Sequence, residues 1–261
     1  MNQALIWTAW KKLMAAYGIS LGCSLAAGSL LVYVLGIPAD SVFEASTKRL
    51  SYAMPVFDAG TSAGIDSGML IFFWNVMGAL VTISFLYSAR LLDPGELDRP
   101  PRSLRKLFCG ASNMRLLCFL PGCSQIGFES TRRLYVWLMV PILSLILLGI
   151  ESGLSLATAK EVFGSYRAGI VSMLPHGIVE IPTFCLAGAV TYSAHLMVRQ
   201  TVYTEAPAAV FQRLHQYRTQ LPVSAIALLV TLALLAAGLI EAHVTHLLIE
   251  ATPPDVSLWR G

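Results

Sequence analysis

His176 and Glu180 stand four residues apart in the stretch LPHGIVEIPTFCLAGA, so any helix built there carries both on one face. An imidazole and a carboxylate at that spacing can bond each other, pass a proton or hold a common partner. A second group, Glu241, His243 and His246, lies in GLIEAHVTH, with the two histidines three apart. Asn75 sits in FFWNVMGAL and Glu151 in LILLGIESGL. All of them interrupt apolar runs, where an ionisable side chain costs at least about 2.5 kcal/mol, so their positions carry more information than the leucines around them. Pro175 and Pro182 bracket the His176–Gly177–Glu180 turn. Pro182 has no N–H to give the preceding turn, which predicts a kink and a carbonyl turned toward a cavity or a neighbouring helix.

Several chemistries are excluded by what is missing. The chain has no Gly-rich phosphate loop, no nucleotide motif and no G-x-S-x-G nucleophile turn. The spacing of His176, Glu180, His243 and His246 is not that of HExxH, and neither a metal nor a cofactor is expected. No residue is assigned a catalytic role. The five cysteines form no C-x-x-C pair and read as small buried or reduced thiols rather than a disulfide framework.

The elements that must position these residues follow from hydropathy. Of 261 residues, 56% are hydrophobic and only 13% charged, against about 25% charged in soluble domains. Mean hydropathy is +0.66. The apolar residues gather into runs of bilayer length, which takes about 20 residues of helix. The expectation is a single all-α integral membrane domain of five transmembrane helices, with short amphipathic helices at the interface. The spans are placed at about 13–37, 68–92, 134–157, 175–198 and 222–248. The first is too long for the apolar core of a signal peptide and reads as an uncleaved span. Its Gly18, Gly22 and Ala26, at four-residue intervals, offer a smooth groove for another helix. Residues 38–67, with Pro38, Pro55, Gly60 and Gly64, read as an exposed connection with one short helix. Residues 93–133 form a basic connection whose Leu104, Leu107 and Phe108 predict a short helix lying in the headgroups. Val210, Phe211, Leu214 and Tyr217 predict another before the last span.

Sorting the basic residues over five spans puts thirteen of the 18 Lys and Arg on the side of Lys11, Lys12 and the 93–133 connection. The other side keeps Lys48, Arg49, Lys160, Arg167 and Arg260. That asymmetry predicts an N-terminus in the cytoplasm and a C-terminus outside, in the cytoplasmic (inner) membrane. The basic balance is therefore a topological one, and no nucleic-acid partner is expected. In this orientation Asn75, Glu151, the His176–Glu180 pair and the Glu241–His246 group all fall in the outer half of the bilayer, which predicts a polar vestibule opening outward.

The stretch Leu174–Ala189 resembles the motif of the stage II sporulation protein M family. Pro175, His176 and Gly177, then Glu180, Ile181 and Pro182, then Ala187, Gly188 and Ala189 match its Pro-His-Gly, Glu-(Leu/Ile)-Pro and Ala-Gly-Ala elements. FFWNVMGAL resembles the family's helix with an inward Asn, here Asn75. GLIEAHVTH resembles its last helix, with Ile240, Glu241 and Ala242 at the Ile-Glu-Ala. The likeness runs from about Ile71 to His246, and the departure from it is the long basic segment Leu91–Arg133. In spore formers such proteins resemble a scaffold that holds peptidoglycan-degrading enzymes at the septal membrane.

The resemblance implies a non-enzymatic scaffold or subunit of an envelope complex, whose partners are lipid, other membrane or envelope proteins, or a second copy of the chain. A transporter or permease subunit using the outer vestibule is the alternative. An intramembrane metallohydrolase is the less favoured third.

Overall fold

The computed structural model describes residues 2–93 and 122–251. Among these residues every regular element is helical. Helix α1 (Asn2–Ser29) runs into a π-helical turn, Leu30–Val34. Two short helices follow, α2 (Ala39–Ser51) and α3 (Met54–Ser62), then α4 (Ser67–Ser88). After the undescribed stretch come α5 (Glu129–Trp137), α6 (Val140–Phe163), α7 (Tyr166–Arg199) and α8 (Pro207–Thr219). The last span is α9 (Val223–Ile240), a second π-helical turn (Glu241–Thr245) and α10 (His246–Glu250).

Five helical stretches are long and apolar enough to cross a membrane: Gln3–Val34, Ser67–Leu92, Glu129–Phe163, Tyr166–Arg199 and Val223–Glu250. The chain is a multi-pass membrane protein of the all-α class. In lipid each backbone N–H and C=O must be satisfied within its own segment, and a helix does this without help from water.

Several local expectations are revised. Residues 38–67 hold two short helices rather than one, because Pro38 and Pro55 act at helix starts. Pro38 precedes α2 and Pro55 lies in the first turn of α3, where a missing N–H costs nothing. The third span has a step at Leu138 and Met139, since Pro141 in the first turn of α6 has no N–H for the carbonyl of Trp137. Helix α7 begins at Tyr166, well before Pro175, and stays helical through Pro175 and Pro182. Cys123 is buried and disulfide-bonded rather than a thiol, with its partner outside the described residues. Cysteines that lack a recognisable spacing in sequence can still meet in space. Cys23 and Cys185 are free thiols. The headgroup helix expected around Leu104, Leu107 and Phe108 lies outside the described residues, as does most of the basic connection.

The described residues divide into two compact units, the first within 1–13, 79–143 and 186–227, the second within 14–78, 144–185 and 228–261. In the first, Thr191 donates to the carbonyl of Thr82 at 2.8 Å and the Trp137 indole to that of Phe85 at 3.1 Å. His195 is buried there, its Nδ1 3.2 Å from the Tyr135 carbonyl and its ring stacked on Tyr192. It serves packing. The face of α8 made by Val210, Phe211, Leu214 and Tyr217 is buried, as its spacing predicts.

The second unit is held by close helix approaches. Gly149 and Gly153 of α6 lie against Ser20 and Ser24 of α1, so near that a Cβ on Gly153 would stand 2.8 Å from the backbone nitrogen of Leu25. Ser24 Oγ reaches the Gly149 carbonyl at 3.2 Å. Gly18 and Gly22 have no such neighbour and are exposed with Ala26. The expected groove on α1 is therefore not where α6 packs, and Ser20, Ser24 and Gly28 supply the contact face instead. Helix α2 runs against α6, with Phe43 edge-on to Phe163, Ser46 2.9 Å from Ser155 and Arg49 2.7 Å from Glu151.

Candidate functional site

The site lies wholly in the second unit and draws on three spans. Helices α4 and α9 cross closely at two glycines, where a Cβ on Gly238 would stand 2.9 Å from the Gly68 carbonyl oxygen. That approach leaves no room for a side chain at Gly238 and little at Gly68, and brings the end of α9 alongside α4. Helix α7 is fixed within the same unit by Gly169, which meets the Cβ of Ala159 on α6.

These contacts bring four of the sequence-predicted residues together. The Asn75 amide donates through Nδ2 to Glu180 Oε1, joining α4 to α7 by a short hydrogen bond. Glu180 Oε2 faces His176 Nε2 at 3.9 Å, one turn back along α7. Glu241 opens the π-helical turn at the end of α9, and one ligating atom from each of His176, Glu180 and Glu241 lies within 4.8 Å of the others. His176 and Glu180 each keep 15% of their side-chain surface exposed. The Nδ1 of His176 is buried and has no hydrogen-bond partner among the described residues.

The remaining candidates take other places. Glu151 forms an ion pair with Arg49 instead of facing the cluster. His243 turns to Asp66, 3.5 Å away and largely exposed, and Asp66 also accepts the Met69 N–H at 3.2 Å at the start of α4. His243 stands two residues after Glu241, a spacing that puts it on another face of the helix. The side chain of His246 lies outside the described residues. Pro175, Gly177 and Pro182 lie on the same continuous stretch of α7 as His176 and Glu180. A Cβ on Gly177 would meet nothing within 4 Å.

Sequence reading missed Asp66 and Arg49, both of which look like ordinary loop charges between two spans. Their signal would have been that each is followed or faced by an intramembrane residue of opposite character, which only the fold reveals.

A family model described as Stage II sporulation protein M matches residues 69–246. The chain belongs to the stage II sporulation protein M family. The matched stretch begins ahead of Asn75 and ends beyond Glu241, so it takes in all four clustered residues of this family member. No curated protein and no solved structure matches the chain.

Proposed function

We propose that this member of the stage II sporulation protein M family is a non-enzymatic scaffold or subunit of an envelope complex in the cytoplasmic membrane, with its N-terminus in the cytoplasm. The observation that carries the reading is the Asn75–Glu180 hydrogen bond between α4 and α7, with His176 and Glu241 beside it. Polar side chains meeting inside an apolar bundle select one helix register over others, since any slip would leave them unpaired in lipid. A protein that presents a fixed surface to partners needs that selection. The family's likeness to septal scaffolds supports the same role, with membrane or envelope proteins or a second copy of the chain as partners.

Glu180→Ala tests it. The variant is expected to lose its co-purifying partners from native membranes and to show looser helix packing by protease sensitivity. Unchanged partners and unchanged packing would refute the scaffold reading.

A transporter or permease subunit is the second reading, favoured by His176 and Glu180 not being fully covered by the protein. It requires pH-dependent flux in reconstituted vesicles that disappears in Glu180→Gln.

A further inference from the structure

We propose that His176, Glu180 and Glu241 form a binding site for a divalent transition-metal cation of the zinc type, with Asn75 orienting Glu180. The inference goes beyond the scaffold reading, which stands with or without an ion.

The ligand atoms are of the right kind. One imidazole and two carboxylates make up a set that zinc and its neighbours accept, whereas calcium takes six to eight oxygens and magnesium retains most of its water. They are also near the right separation. Ligands at about 2.0–2.2 Å from a tetrahedral ion are about 3.3–3.6 Å apart. The three atoms here lie within 4.8 Å, a difference that the torsions of two glutamates can close.

Charge gives the second argument. Two ionised carboxylates side by side in an apolar span are costly, and a divalent cation with a neutral imidazole balances both. The hydrogen bonding points the same way. Asn75 engages Oε1 of Glu180 and leaves Oε2 on the side of His176, the arrangement by which an outer group fixes a ligating carboxylate. Meanwhile the Nε2 of His176, which faces Glu180 Oε2 at 3.9 Å, is beyond hydrogen-bond reach of it and is the nitrogen an ion would use, while the Nδ1 on the other edge of the ring is buried with no hydrogen-bond partner among the described residues.

The geometry also explains the second π-helical turn. Glu241 is its first residue, and such turns re-aim side chains at functional positions. A bound ion would tie α7 to the end of α9, while Asn75 ties α7 to α4. His176 and Glu180 each keep part of their side-chain surface uncovered by the protein, so a fourth ligand such as water is not sterically shut out.

The test uses the full chain in detergent, freed of any affinity tag, stripped with a chelator, equilibrated with zinc and analysed for metal by mass spectrometry. A single equivalent of zinc per chain is expected, with a rise in melting temperature on zinc addition. His176→Ala and Glu241→Gln should each abolish retention, Asn75→Leu should weaken it by about tenfold, and Glu151→Gln should leave it intact. Substoichiometric zinc on the native chain overturns the proposal whatever the variants do. So does retention that survives both ligand substitutions, or retention lost equally in Glu151→Gln. None of these readouts measures partner assembly, so failure here and failure of the scaffold reading remain separate results.

Discussion

Asn75 joins Glu180 through one hydrogen bond, donated by its amide. Replacing it by Leu removes the amide that engages Glu180 and leaves a carboxylate oxygen without its donor inside an apolar unit. A group left unsatisfied in this way costs about 1–3 kcal/mol. Asn75→Leu should lower unfolding stability in detergent by that amount, and Asn75→Asp by more, since it sets a third carboxylate against Glu180. Equal stability of both variants with the native chain would show that the bond contributes nothing. His176 and Glu180 were legible as a pair because a four-residue interval has only one meaning on a helix. Their meeting with Asn75 was legible only as similar depth. Glu151 shared that depth and went elsewhere, because Arg49 from α2 reaches it first. Depth is a coordinate along the membrane normal, and residues at one depth still face every direction around their helices.

At the level of the helices, the contact between α1 and α6 depends on two glycines four residues apart. Gly153→Val would drive a branched side chain into the backbone of α1 at Leu21 and Leu25. Overpacking of this kind costs about 1–3 kcal/mol. Gly18→Val, on the exposed face of α1 with no atom within 4 Å of its Cβ, should change stability by less than about 0.5 kcal/mol. Unfolding titrations of the two variants in mixed detergent separate these outcomes, and a larger loss at Gly18 would contradict the packing described. The sequence contains two small-residue stripes on α1, Gly18–Gly22–Ala26 and Ser20–Ser24–Gly28. Spacing identifies both equally well. The choice between them is made by Gly149 and Gly153 on α6, which the serine stripe meets. Nor did any residue announce the π-helical turns, because inserting one residue into a helical turn requires no particular amino acid.

Across the whole chain, five spans were readable because each needs only an unbroken apolar run, and such runs are long signals. The short helices α2 and α3 were harder, because proline marks both the end of one helix and the start of the next. The proposed orientation rests on the distribution of Lys and Arg and is open to a direct measurement. In a background with Cys23→Ser, a cysteine at Ser51, exposed at the end of α2, should react with an impermeant maleimide added to intact cells. One at Thr219, exposed at the end of α8, should react only after permeabilisation. The reverse pattern would place the N-terminus outside and move the His176–Glu180 pair to the cytoplasmic half.

The widened turn at Glu241–Thr245 gives the end of the fifth span a tolerance of length that the rest of the helix lacks. Removing a single residue there, Val244 for instance, would let the backbone return to ordinary α-helical winding and leave Leu247, Leu248 and Ile249 near their present direction, because the turn already holds one residue more than an α-helical one. The same deletion within α9 would swing the residues between it and the turn by about 100°. Loss of one residue should therefore be mild within Glu241–Thr245 and severe within Val223–Ile240.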